Sequence, residues 1–281
     1  MYAVTGATGQ LGRKVIASLK TRVPASQIVA IARSASNAAN LGVNVREADY
    51  KDVAALKDAF AGVDKLLLIS SSSLDRQPEH ANVLAAAKDV GVKHIFYTSC
   101  LHAESWGIPF TQDHLVTEQW IKASGAEYTI LRNGWYWENN TTRLPAAVQY
   151  GSLVGSAGKA EISWASRQDF ADAAVAVMTE AGHEGKTYEL AGDRAYTLMD
   201  LAAEAARQSG KSVSYVNQSE VDFVATLQQI GLPAPMALLV AEIEARGVST
   251  GVLKDESRVL STLIGRATAS LQEAVAEALA S

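Results

Sequence analysis

The sequence predicts an α/β fold: a doubly wound parallel sheet carrying a smaller, mainly helical C-terminal lobe. Three observations predict it. Short apolar runs alternate with amphipathic stretches through the first half, the linkers between them are short, and a glycine run separates the first apolar run from the first amphipathic stretch. Parallel strands buried on both faces read as nearly continuous apolar runs and need a helical crossover between neighbours. This alternation therefore specifies a sheet with helices on both faces.

The elements follow in order. Strands are expected at residues 2–5, 28–32, 43–47, 66–69, 94–98 and 128–131. Helices are expected at 11–19, 53–60, 79–90 and 114–123. The second half is less regular. Gly151, Gly155 and Gly158 break the pattern before a helix at 168–179, a strand at 188–191 and a helix at 198–208. Beyond Ser219 the pattern is mostly helical, punctuated by Gly231, Pro233, Pro235 and Gly247. The expected division is a nucleotide-binding unit over residues 1–150. A smaller substrate-side lobe over 151–281 is expected to be partly interwoven with the sheet.

Composition narrows the function classes. Hydrophobic residues make up 48% of the 281 residues and charged residues 20%, the balance of a globular chain. A net charge of -5, with no run of Lys and Arg, argues against nucleic acid or an anionic membrane as the main partner. No apolar segment has the length to span a bilayer, and no secretory leader is expected. Cys100 is the single cysteine, so there is no internal disulfide and no Cys-rich zinc site, which fits a cytoplasmic protein. His80, His94 and His183 show no ligand spacing, and no metal is expected. The sequence leaves a homodimer open.

The strongest local signal is Gly6-Ala7-Thr8-Gly9-Gln10-Leu11-Gly12. Between a strand and a helix, such a run makes a phosphate loop of the Rossmann type. Gly6 permits a tight turn, Gly9 lets the backbone approach a pyrophosphate, and Gly12 lets the helix pack closely. The free amides at the helix start then hold the phosphates. The second strand ends in Arg33-Ser34, where an acidic residue would favour NAD. A guanidinium there suits a 2′-phosphate, so NADP(H) is the expected cofactor; the plainer reading of Arg33 is a solvated surface side chain. Asp49 follows the third strand within reach of an adenine. Ser70, Ser71 and Ser72 follow the fourth, where ligands gather at strand ends, although a serine run also suits a plain loop.

Two later segments, Tyr97-Thr98-Ser99 and Leu131-Arg132-Asn133-Gly134-Trp135-Tyr136, complete a wider pattern. With them the chain resembles the NmrA-like branch of the atypical short-chain dehydrogenases/reductases. Within that branch it is most similar to the bacterial type 2 NAD(P)H:quinone oxidoreductases, and next to the triphenylmethane reductases. The likeness runs over nearly the whole chain and includes residues 23–28, 182–186 and 263–266. It implies cofactor contacts at Gly6, Thr8, Gly9, Gln10, Leu11, Gly12, Arg33, the Ser72 region, Asn133, Gly134, Trp135, Tyr136, Glu138 and Arg167. It also implies NADPH as hydride donor and quinones as substrates. Trp135, Tyr136 and Trp137 would then line one face of the cleft and position a flat ring, unless they only seal the junction with the small lobe.

Better-known members of the superfamily use Tyr-x-x-x-Lys on the helix after the fifth strand as a proton relay. Here that stretch reads His114-Leu115-Val116-Thr117-Glu118. Residues four apart share a helix face, so His114 and Glu118 are expected to meet, with the carboxylate holding the imidazole cationic. A ketone-reducing relay is therefore not expected. Quinone reduction does without one, because the hydroquinone anion is a weak base that can take its proton from water. His102, past the fifth strand, is a second candidate to position a quinone oxygen, or else a surface histidine. Two alternatives remain open: a redox sensor that binds NADP(H) without turnover, and a triarylmethane dye reductase.

Overall fold

The computed structural model describes residues 1–280. In chain order the strands are β1 (Tyr2–Val4), β2 (Ile28–Ala32), β3 (Asn44–Glu47), β4 (Lys65–Leu68), β5 (His94–Cys100), β6 (Glu127–Asn133), β7 (Ser152–Gly155), β8 (Lys186–Leu190) and β9 (Ser214–Asn217). The helices are α1 (Gln10–Leu19), α2 (Val53–Phe60), α3 (Arg76–Asp89), α4 (Pro109–Lys122), α5 (Glu138–Thr141) and α6 (Leu144–Tyr150), followed by α7 (Arg167–Thr179), α8 (Leu198–Ser209), α9 (Glu220–Gln229), α10 (Ala234–Glu242), α11 (Val259–Ile264) and α12 (Leu271–Ala280).

Seven strands form one parallel sheet in the order β3-β2-β1-β4-β5-β6-β8. All five residues of β2 are buried, which is why its apolar run is unbroken. Helices α1 and α7 cover one face, where Val15, Ile16, Phe170 and Val177 pack together. Helices α2, α3 and α4 cover the other with Leu56, Phe60, Val83 and Ile121. The chain winds outward from β1 to β3, then returns to β4 on the other side of β1. The crevice between the carboxyl ends of β1 and β4 is therefore the switch point, where such sheets bind ligands.

Most bounds lie close to the expectations, and the differences have physical reasons. Helix α3 begins at Arg76 rather than residue 79 because its buried face carries Arg76, Glu79 and His80, polar residues that hide the apolar period. Helix α4 begins at Pro109 rather than residue 114, with proline in the first turn. Residues 186–190 add β8 to the main sheet beside β6, pairing Tyr188 with Leu131. Strands β7 and β9, absent from the sequence reading, form a separate two-stranded parallel sheet. Both are short and carry little apolar alternation. A further buried cluster joins Leu101, Trp106 and Leu144 to Leu153, Trp164, Leu201 and Val275.

Candidate dinucleotide and acceptor site

The turn after β1 depends on its glycines. Gly6 sits in the left-handed region at φ 58°, open to glycine at no steric cost. A Cβ on Gly12 would lie 2.3 Å from the Gly6 carbonyl oxygen, so only glycine lets α1 start this close to the turn. The Gly9 amide donates to that same oxygen at 2.9 Å. Gly9 caps α1 without a side-chain hydrogen bond, and no acidic residue occupies the first turn. The first amides of the helix, at Gln10 and Leu11, thus keep their donors for an anion. Position 6 faces the end of β4, since a Cβ there would lie 3.6 Å from Ile69 Cβ.

Tyr50, which the sequence reading passed over, pins this junction. Its Oη lies 2.5 Å from Thr5 Oγ1 and 2.9 Å from the Ile69 carbonyl. Thr5 Oγ1 in turn accepts from the Ile69 amide at 3.1 Å. Burial pushes the Tyr50 phenol far up, so it stays protonated. Asp49 caps its own turn by accepting from the Lys51 amide at 2.9 Å.

At the end of β2, Arg33 is exposed and forms no hydrogen bond or ion pair with the described residues. Arg13, also missed from sequence, organises the loop that follows. Its guanidinium donates to the Thr8 carbonyl at 3.0 Å, to Asn40 Oδ1 at 3.0 Å and to the Asn37 carbonyl at 2.8 Å. It therefore clips the loop after β2 to the phosphate loop, beside Arg33.

The serine run after β4 divides. Ser71 is gripped by α3: its amide donates to His80 Nε2 at 3.0 Å, its carbonyl accepts from Arg76 Nε at 2.8 Å, and its hydroxyl donates to Glu79. Burial pushes His80 down to about 3, so its ring is neutral. An accepting Nε2 leaves the proton on Nδ1, which faces Thr117 Oγ1 at 2.9 Å. Ser72 is exposed. The Ser70 hydroxyl is buried near the Tyr97 phenol and completes no well-formed hydrogen bond.

The ends of β5 and β6 meet at Cys100 and Asn133, which pair in register. Asn133 Nδ2 donates to Tyr136 Oη at 3.3 Å, while its Oδ1 is buried without a partner among the described residues. A Cβ on Gly134 would lie 2.9 Å from the Leu190 carbonyl, so glycine lets this turn pass close to β8. Tyr136 packs edge-on against Phe170 at 5.1 Å, and the Arg167 guanidinium stands 4.8 Å from its ring centre. Arg167 also donates from Nη2 to Asn139 Oδ1 at 2.9 Å and from its amide to Glu138 Oε1 at 3.1 Å. Trp135 is partly exposed, its indole donating to Asn140 Oδ1 at 3.1 Å.

Trp137 does not share that wall. It is 1% exposed and stacks on Trp164 at 4.8 Å, with its indole donating to the Ala269 carbonyl at 3.0 Å. The chain turns into α5 at this residue and sends its ring into the buried cluster around Trp164.

The expected pairing of His114 with Glu118 is also absent. Arg132 takes Glu118 in a two-pronged contact at 2.8 and 2.7 Å, and Ser99 donates to it at 2.6 Å. The same guanidinium reaches Glu104 and Glu189, both at 2.8 Å from Nη1. His114 Nδ1 instead faces Tyr97 Oη at 2.8 Å. Burial, with Arg76 and His80 nearby, pushes its pKa well below the usual value, so this imidazole is neutral rather than cationic. His102 takes a left-handed backbone, φ 49°, and both ring nitrogens are engaged, with the Val252 carbonyl at 2.9 Å and Asp255 Oδ2 at 3.2 Å. Burial pushes the Cys100 thiol far up and out of reach of neutral pH.

A glycine turn at the switch point, open helix amides, an unpaired arginine at the end of β2 and an orphaned acceptor at the end of β6 fit a dinucleotide. The fold and site thus define a nucleotide-dependent oxidoreductase of the Rossmann class. The chain belongs to the NAD(P)H-binding family, whose model matches residues 6–181. It is 53% identical over 279 residues to "Quinone oxidoreductase 2" of Escherichia coli strain K12, covering 98% of this chain and 97% of that protein. Among solved structures it superposes on an E. coli NADPH-dependent quinone oxidoreductase complexed with NADPH at a TM-score of 0.95. That pair is 52% identical, covering 99% of this chain and 100% of the other. The triphenylmethane reductase of Citrobacter sp., complexed with NADP(H), follows at a TM-score of 0.94 and 41% identity, covering 99% of this chain and 100% of that one. The family resemblance carried by the loop and by the segments at Tyr97 and Leu131 holds at full length. Among the described residues no helix is long and apolar enough to cross a membrane.

Proposed function

We propose that this chain is an NADPH-dependent reductase acting on quinones or comparably flat, electron-poor aromatics. One observation carries the reading. The charged side chains nearest the ends of β5 and β6 are bound to one another, while the rings of Trp135 and Tyr136 remain partly exposed. Such a surface suits a neutral, flat acceptor better than a charged one. The name of the E. coli relative and the NADPH in the solved structure of similar fold support the same reading.

When bound, NADPH supplies the hydride. The amides of Gln10 and Leu11 would hold its pyrophosphate, with Thr8 in the same turn, and Arg33 its 2′-phosphate. The unsatisfied Asn133 Oδ1 offers an acceptor at the reacting end, and Ser70 a hydroxyl. Arg167, its amide held by Glu138, and Phe170 hold the Tyr136 ring in place. Trp135 and Tyr136 would orient the acceptor ring. Both nitrogens of His102 are spent on the 252–255 segment, which favours a clamp over a substrate contact. The proposal places the protein in the cytoplasm, which a lone buried thiol suits.

NADPH oxidation with and without a small panel of quinones, one triarylmethane dye included, tests the reading. Acceptor-dependent oxidation, faster with the quinones, is the expected result. Tight nucleotide binding with no acceptor-dependent turnover would mark a redox sensor instead.

A further inference from the structure

The reduction of a quinone needs a proton as well as a hydride, and no charged group near β5 and β6 is free to give one. His102 holds the Val252 carbonyl and Asp255. His114 is buried against Tyr97, and Glu118 is held by Arg132 and Ser99. The Cys100 thiol is buried, and the Glu138 carboxylate is held at the Arg167 amide.

One donor remains. Tyr136 Oη accepts a hydrogen bond from Asn133 Nδ2, so the phenol oxygen is fixed at the end of β6 with one lone-pair direction used. The phenol's own proton has no acceptor among the described residues, and the residue is half-buried beside the orphaned Asn133 Oδ1. We propose that Tyr136 is a catalytic residue of this chain, the general acid that delivers the proton from its Oη to the acceptor oxygen. The proposal rests on the quinone-reductase reading and deepens it.

The step balances. The acceptor gains two electrons with the hydride and would become a hydroquinone anion. The Tyr136 O–H bond breaks, a new O–H bond forms on the acceptor oxygen, and water returns a proton to the phenolate. Donor and recipient are both phenols with an unperturbed pKa of about 10, so the transfer is balanced where the cleft raises the bound hydroquinone's pKa as burial raises that of Tyr136. Burial raises the Tyr136 pKa, which keeps the proton on the oxygen at neutral pH until an acceptor arrives. The phenolate left behind is met by the Asn133 amide at 3.3 Å and by the Arg167 guanidinium 4.8 Å from the ring centre.

Tyr136→Phe keeps the ring against Phe170 and Arg167 and removes only the hydroxyl. Single-turnover rates of NADPH oxidation should fall about 100-fold or more with a quinone whose hydroquinone is weakly acidic. The KM for NADPH and for quinone should stay within about threefold. The defect should shrink with quinones whose hydroquinones are strongly acidic, because their anions need no acid. The wild type should show a solvent deuterium isotope effect that the variant lacks, and that measurement stands even where the variant folds poorly. An unchanged rate in Tyr136→Phe, a loss equal for all acceptors, or a wild type with no solvent isotope effect would overturn the proposal while leaving the reductase reading intact. A wild type that reduces no quinone at all overturns both.

Discussion

At the β2 end of the sheet's carboxyl edge one guanidinium, Arg33, stands exposed with no partner among the described residues. At the β6 end another, Arg132, is shared by Glu104, Glu118 and Glu189. The same edge thus handles charge in two ways. The phosphate end leaves its donors free: helix amides after Gly9, and Arg33 beside a loop that Arg13 clips in place. The reaction end cancels its charges internally and keeps its neutral rings, Trp135 and Tyr136, half-buried. A polyanion needs unspent donors, whereas a neutral aromatic acceptor is better received where no desolvated charge waits for a partner. The contrast separates binding the nucleotide from receiving the acceptor.

The largest expected effect comes from breaking the reaction end's pairing. Arg132→Ala would leave Glu118, 2% exposed, with only the half-exposed Lys122 at 3.7 Å as a counter-ion. Removing one partner of a buried pair typically costs about 3–5 kcal/mol. Urea unfolding should show a loss of that size, and a loss under about 1 kcal/mol would mean that the network is surface-like. Replacing Arg132 and Glu118 together by apolar residues should recover part of it.

A smaller effect concerns the clamp between the β5 loop and the lobe. His102 is pushed up to about 9, chiefly by its hydrogen bond to Asp255, while Asp255 is held down at about 2 by the same contact. The folded protein holds the imidazole proton more tightly than the unfolded chain, where histidine titrates near about 6.5. The clamp's stabilisation is therefore complete below about 6.5 and fades as pH rises through about 9. His102→Asn suits the left-handed backbone and removes the titration. Between pH 7 and 10 the wild-type Tm should fall more steeply than that of the variant, by a few degrees. Parallel profiles would show that the clamp carries no charge.

The same contrast separates what the sequence discloses from what it hides. Strand β2 and helix α2 lie at the residues expected, because an unbroken apolar run and a clear helical period each point one way. The glycine loop is legible because each glycine answers a local steric demand. The reaction end is not, since its roles are set by tertiary partners. His114 and Glu118 share a helix face, yet Arg132 from β6 takes the carboxylate and Tyr97 from β5 takes the imidazole. Trp135, Tyr136 and Trp137 are neighbours in sequence, yet the turn into α5 sends the third into the buried cluster around Trp164. Arg13 is hidden for another reason: two of its three hydrogen bonds go to backbone carbonyls, which no side-chain motif records. Strands β7 and β9 are four residues each and pair only with one another, too short for periodicity to register.

The separation of the two ends is tested most directly by Arg33→Asp, with KM for NADPH, NADH and one neutral quinone measured beside the wild type. A charge-assisted contact is worth about 1.5–3 kcal/mol, or roughly tenfold to hundredfold in affinity. The KM for NADPH should rise by that factor and the preference over NADH should vanish or reverse, with the KM for quinone unmoved. An unchanged KM for NADPH, or a quinone KM that rises in step with it, would contradict the account.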